Sequence, residues 1–431
     1  MWDYWPYLLL LLGVFYFYFN KSRRMEQRSV AIKTAAIEAG LTEPSSLHPE
    51  INPSICLGCG TCVAACPEGN VLGIIGGKAE LVEPTHCIGH GACKTACPTD
   101  AITLVFGTAE RGVDLPRVGP DFQSNVPGVF IAGELGGMGL IRNAVEQGRQ
   151  AVESIKKLDG LGKKDRYDVI IVGAGPAGFA GALAAKQAGL TYLVIEQDDL
   201  GGTVFKYPRG KVVMTAPAKL PIVGQVNFRE VSKEKLLEFW RNIETEQQLK
   251  VSYRDRVDKI VHSDSSFEVH SQSGINKSRA ILLAIGRRGT PRRLGVAGED
   301  AKKVVYQLID PEQYKGKHVL VVGGGDSALE AATSIADQPG TTVTLSYRSE
   351  AFGRAKSKNR EKVATQTASG VLKVLMKSQI KTISESSVEI SYEGQNQTIP
   401  NEAIIVCAGG ILPTEFLKSI GINMETKYGT A

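Results

Sequence analysis

Eight residues between positions 56 and 97 carry the densest chemistry of this 431-residue chain. They run Cys56-x-x-Cys59-x-x-Cys62-x-x-x-Cys66-Pro67, then Cys87-x-x-His90-x-x-Cys93-x-x-x-Cys97-Pro98. Seven of the chain's eight cysteines fall here, which is ligand clustering and not a disulfide framework. Ligands at this spacing suit iron–sulfur clusters, with a pair of zinc sites as the alternative. A second chemistry sits at Gly173-x-Gly175-Pro176-Ala177-Gly178, after the apolar strand 169–172. Gly173 makes the tight turn, Gly175 lets backbone approach a pyrophosphate, and Gly178 lets helix and strand pack closely. Glu196 ends the next strand about 20 residues on, where a ribose hydroxyl needs an acceptor. The pattern recurs at Gly323-Gly-Gly325-Asp326-Ser327-Ala328 after the apolar strand beginning at His318.

The cysteine run resembles that of bacterial two-cluster ferredoxins, in which three ligands come from one motif and the fourth crosses over. The resemblance implies one [4Fe-4S] cluster on Cys56, Cys59, Cys62 and Cys97. The other takes Cys66, Cys87 and Cys93, with His90 at its fourth position. His90 departs from the family. It either ligates iron, raising that cluster's potential, or sits beside a [3Fe-4S] cluster lacking that corner. Histidine is a competent ligand, so ligation is the favoured reading. Strands at 71–75 and 101–106 suit a small α+β ferredoxin-like domain over residues 50–106.

Residues 107–431 resemble the thioredoxin-reductase-like flavoproteins, an α/β class with two Rossmann-like dinucleotide-binding domains. In that group a segment of the type VPGVFAAGD closes the chain. Here it comes first, as Asn125-Val-Pro-Gly-Val-Phe-Ile-Ala-Gly133-Glu134, followed by a helix over 139–157. The FAD domain therefore reads as circularly permuted. The helix should end close to the strand at Asp168, and the chain's last residues should lie near Gly107. The resemblance implies FAD contacts from Gly173, Gly175, Pro176, Ala177, Gly178, Glu196, Gly202, Thr203, Ala284, Gly286, Gly133 and Glu134. It implies NAD(P)H contacts from Gly323, Gly325, Asp326, Ser327 and Ala328. The strand 342–347 ends without the acid that favours NADH. Arg348 and Arg354, with Lys356 and Lys358 beyond, suit a 2′-phosphate, so NADPH is favoured over NADH. The stretch 207–219 resembles bacillithiol-disulfide-reductase-like flavoproteins, which tend to carry a cysteine where this chain has Ala177. No CxxC lies outside the cluster motifs, and Cys407, in an apolar strand at 403–408, reads as a buried structural thiol.

The elements that must position these groups divide the chain into five parts. Residues 1–20 read as a single-pass transmembrane anchor, with aromatic belts (Trp2, Tyr4, Trp5 and Tyr7 at one end, Tyr16 and Tyr18 at the other) and Lys21, Arg23 and Arg24 on the cytoplasmic side. Residues 21–49 read as a linker containing a short polar helix, 50–106 as the iron–sulfur domain, 107–288 with 408–431 as the FAD domain, and 289–407 as the NAD(P)H domain. The composition is ordinary and globular, 43% hydrophobic and 22% charged, with 47 glycines for nucleotide-binding turns. A net charge of +5 suits an anionic membrane surface or an acidic partner, and no nucleic-acid-binding pattern is present.

Hydride carries two electrons and an iron–sulfur cluster takes one, so a flavin belongs between them. The chain thus reads as an inner-membrane oxidoreductase joining NAD(P)H, FAD and two clusters to a ferredoxin-like or membrane-bound one-electron carrier. No side chain stands out as a catalytic acid or base, and a homodimer is compatible with this reading. The alternatives are a flavin-dependent disulfide or small-molecule reductase and a non-catalytic electron-wiring or redox-sensing subunit.

Overall fold

The computed structural model describes residues 5–38, 41–44, 47–87, 89–137, 139–215, 217–228, 230–263, 266–353 and 355–429. The expected belt residues Trp2 and Tyr4, and Arg354 of the expected phosphate site, lie outside these. The chain forms two compact units. One holds the residues up to Val113, together with 351–361 and 427–431; the other holds 114–350 and 362–426.

The first unit begins with one continuous helix, Trp5–Glu38. This corrects the division into an anchor and a linker, because hydropathy changes at Asn20 while nothing there breaks a helix. The polar half of this helix docks on the hairpin formed by the strands Leu72–Ile75 and Lys78–Leu81. Glu26 accepts from the Gly76 N–H at 2.7 Å, Lys33 pairs with Glu80 at 2.5 Å, and Arg28 donates to Asn70. Gly73 supplies the flat spot, since a Cβ there would lie 2.5 Å from the Ser29 hydroxyl. The apolar half is exposed along its length, from Tyr7 at 70% to Phe19 at 46%.

Among the described residues no helix is long and apolar enough to cross a membrane. The expected anchor, 1–20, begins in residues outside those described. From Tyr7 the apolar run continues to Phe19. Six of its residues are aromatic, and its three tyrosines carry hydroxyls that favour an interface over hydrocarbon. Elsewhere in this unit His48–Ile51 pairs antiparallel with Ile102–Val105, and the enclosed core includes Cys56, Cys62, Cys87 and Cys93.

The second unit is built on a seven-stranded sheet. Its parallel part places Tyr167–Val172 between Tyr192–Ile195 and the long strand Gly274–Leu283. Strands covered on both faces read as unbroken apolar runs, as Val169 to Val172 do. The other edge of Gly274–Leu283 is shared: Ser266–Ser271 pairs with its first half, and Val129–Ile131 runs parallel to its end. The strand Val129–Ile131 therefore lies in the same sheet as the first glycine-loop strand. Its helix, Ile141–Ile155, buries Ala144, Val145, Gly148, Ala151, Val152 and Ile155, the spacing of one helical face. That face lies on the helix Pro176–Gln187, so closely that a Cβ on Gly148 would come within 2.0 Å of the Ala177 carbonyl oxygen. The turn after it is tied to the glycine-loop strand, because Gly162 N–H donates to Asp168 at 2.5 Å and Arg279 donates to the Asp159 carbonyl. At the far end, Met424–Lys427 pairs with Val113–Pro116, and Gly429 N–H donates to the Phe106 carbonyl at 2.9 Å. The closing residues thus lie beside Gly107, as expected.

A second parallel sheet of five strands has His318–Val322 between Ala403–Val406 and Thr342–Ser346. Cys407 falls just past the strand Ala403–Val406 and is half-buried, which corrects its placement inside that strand. Burial pushes its thiol up to about 11.

Candidate functional site

A cavity of about 820 Å³ opens at the C-terminal ends of the parallel strands in the seven-stranded sheet. It is within the size range of cofactor sites. Of the residues expected to hold FAD, all but Gly178 line it. Gly178 instead lets helix and strand meet, since a Cβ there would lie 1.8 Å from the Gly173 carbonyl oxygen. Gly173 has φ +103°, a left-handed conformation that favours glycine. Around Gly175 a Cβ would meet nothing closer than Gly202 Cα at 3.9 Å, which leaves its backbone open to a ligand. Pro176 occupies the first helical turn, where no N–H is needed.

Glu196 is buried and braces the loop, accepting from Ala174 N–H at 2.6 Å and Asp198 N–H at 2.8 Å. Burial pushes its carboxyl up from the usual range, partly opposed by those two N–H donors. Glu134 reaches solvent through the cavity yet is crowded by protein. Desolvation raises its pKa, while Arg287 and Arg288 pull the other way. Sequence reasoning missed the walls at 255–258 and 411–416, and also Tyr207 and Arg288. The turn Gly409-Gly410 after an apolar strand was the one available signal for 411–416; none marks 255–258.

The second glycine loop repeats the first in outline. Gly323 has φ +144°, and a Cβ there would meet the Cys407 carbonyl oxygen at 2.4 Å. Gly325 has open space around its Cα, while the Tyr347 ring lies over Gly324. Asp326 and Ser327 begin the helix Asp326–Ala336, and Ala328 is fully buried against Gly323. Arg348 is exposed just beyond the strand Thr342–Ser346. Residues 351–361 belong to the cysteine-bearing unit, where Lys356 bears on His90 and Arg360 pairs with Glu83 at 3.4 Å.

In that unit Cys56, Cys59, Cys62 and Cys97 line one small cavity. The thiols of Cys66, Cys87 and Cys93 act on one another electrostatically. Cys97 also acts on Cys93. Burial pushes Cys62 and Cys87 up to about 11. Cys59 is exposed, and the Thr61 hydroxyl 3.1 Å away lowers its pKa. Burial lowers the pKa of His90, leaving a neutral imidazole able to ligate. Among the described residues no three His, Cys, Asp or Glu side chains converge on a single ion.

A family model described as pyridine nucleotide-disulphide oxidoreductase matches residues 170–430. The chain belongs to that family. A second model, the 4Fe-4S dicluster domain, matches residues 48–98. A ferredoxin–NADP reductase of Ignicoccus hospitalis is 32% identical over 60% of this chain and 83% of its own length. Bacilliredoxin reductase Bdr of Bacillus subtilis is 26% identical over 60% and 82%. Among solved structures, the bacillithiol disulfide reductase Bdr of Staphylococcus aureus is similar in fold, with a TM-score of 0.54 at 24% identity over 60% of this chain and 81% of its own. The protein is a flavin-dependent oxidoreductase of this family with an iron–sulfur domain.

Proposed function

We propose that the enzyme moves electrons between NADPH, with NADH as the alternative, and a one-electron carrier of the ferredoxin type, through FAD and two [4Fe-4S] clusters. FAD supplies the conversion between paired and single electrons. The glycine loop at 173–178, Glu196 and Glu134 would hold and orient it; the loop at 323–328 and Arg348 would hold the nucleotide.

One observation carries the reading. The site of the first cluster reaches the surface at Cys59, flanked by Ile55 at 46% and Leu57 at 72% exposure. A small apolar rim round an exposed ligand suits the brief, low-area docking of electron carriers. A disulfide reductase would instead need a thiol at the flavin, and among the described residues the cavity lining includes no cysteine. Anaerobic titration of the full chain with NADPH, followed by absorbance and EPR, tests the proposal. Flavin and both clusters should become reduced; clusters that stay oxidised beside a reduced flavin would overturn it.

Arg348 is proposed to select the 2′-phosphate. A charge-assisted guanidinium–phosphate contact is worth about 1.5–3 kcal/mol, so Arg348→Ala should lower the NADPH/NADH ratio of kcat/KM about tenfold or more. An unchanged ratio would remove Arg348 from the site. The chain order is proposed to be a circular permutation of the flavin domain, supported by the place of Val129–Ile131 in the sheet and by the meeting of Gly429 with Phe106.

The exposed apolar turns at 7–19, with Lys21, Arg23 and Arg24 beyond them, are proposed to seat the molecule at an anionic lipid surface. The protein should co-sediment with phosphatidylglycerol vesicles and lose most of that binding when residues 1–20 are removed. Equal binding by both forms would locate the contact elsewhere.

A further inference from the structure

The second cluster's surroundings contain a group that neither its motif nor its ligand count calls for. Glu68 lies two residues past Cys66, and its backbone N–H donates to the Cys66 sulfur. Its carboxylate faces the opposite motif: Oε1 lies 3.6 Å from His90 Nε2, with both side chains about three-quarters buried, at 28% and 26% exposure. It also bears electrostatically on Cys87. A single residue therefore touches on three of the four positions that would surround this cluster.

A carboxylate beside a ligating histidine has a recognised use. One ring nitrogen binds metal while the other, protonated, donates to the carboxylate, which fixes tautomer and ring orientation. The nitrogen facing Glu68 is Nε2, so Nδ1 is the one left for iron. The 3.6 Å approach is longer than a hydrogen bond, so the pair must close by about half an ångström when the ligands gather round a cube. Glu68 is a poor candidate for the ligand itself, because these irons prefer thiolate and imidazole to a hard carboxylate oxygen.

We propose that Glu68 is the positioning residue of the second cluster, accepting the Nε2 proton of His90 and so presenting Nδ1 to the fourth iron. This rests on ligation by His90, and the experiment separates the two claims.

Full-length protein is prepared with histidine carrying nitrogen-15 at Nδ1 alone or at Nε2 alone, then reduced, and hyperfine couplings are measured by pulsed EPR. In the wild type a strong coupling is expected from Nδ1 labelling, and it should vanish in His90→Cys. No strong coupling from either label would overturn the ligation itself, and Glu68 or an open iron would then hold that corner. Glu68→Gln keeps an acceptor for the Nε2 proton while losing a negative charge. It should keep the Nδ1 coupling and raise the midpoint potential of this cluster alone. Glu68→Ala should lose the Nδ1 coupling or exchange it for one from Nε2. The first cluster's unchanged signal would show in each case that the domain is folded. A Glu68→Ala protein with Nδ1 coupling and potential like the wild type would refute the positioning role while leaving His90 as ligand.

Discussion

Gly178→Val should yield a protein purified without flavin. The hydrogen of Gly178 is all that separates its helix from the glycine loop, since a Cβ would lie 1.8 Å from the Gly173 carbonyl oxygen and 3.3 Å from Ala284 Cβ. Backbone cannot yield as a flexible side chain does, so the helix must move off the sheet. Overpacking of this kind costs about 1–3 kcal/mol or more. The displaced loop is also the one whose open backbone at Gly175 faces the cavity. Flavin absorbance per protein and the thermal midpoint should both fall. Gly325→Ala makes the contrast. Its Cα has open space and its φ is −95°, so the fold should stand, while a methyl group enters the space a nucleotide pyrophosphate would use. That protein should keep its flavin and lose affinity for NADPH. Full flavin content in Gly178→Val would contradict the role given to this glycine.

Cys97→Ala should destroy the first cluster and spare the second, although Cys97 belongs by sequence to the second motif. Its side chain lines the same small cavity as Cys56, Cys59 and Cys62, whereas Cys66 lies with Cys87 and Cys93. Iron content should drop by about half, and the remaining EPR signal should be that of the cluster with the higher potential, because an imidazole in place of a thiolate leaves less negative charge to oppose an electron. Flavin reduction by NADPH should continue while transfer to an external one-electron carrier fails. Loss of the higher-potential signal with retention of the other would reverse the assignment of ligands.

Both results turn on residues whose roles are local, and local roles are legible in the sequence. A glycine at 173 or 178 is read from the turn and the close approach it permits, and cysteines three apart are read from the ligand loop they form. The strand at 129–131 is read from its likeness to a family segment, and it shares a sheet with Tyr167–Val172. What cannot be read depends on distant partners or on continuity. The helix Trp5–Glu38 reads as two pieces because its hydropathy changes, yet a helix stops at a cap, a proline or a glycine turn, and none occurs at Asn20. The segment beyond Arg348 carries Arg360, whose partner Glu83 is 277 positions away. No periodicity encodes such a pair. The walls at 255–258 and 411–416 come from strand ends with no motif of their own.

The unbroken helix at the start of the chain sets a phase as well as a distance. Its 34 residues extend about 51 Å, with Phe19 and Glu26 on the same rigid rod and only about 10 Å apart along it. Each residue of an α-helix turns about 100° as it rises 1.5 Å. A surface that received the aromatic turns would therefore fix the compass bearing of the iron–sulfur unit, and so the side from which Cys59 can be approached. One residue inserted between Phe19 and Glu26 would swing that bearing by more than a quarter of a circle. Seven would restore it nearly to its starting point while lifting the unit by about two helical turns.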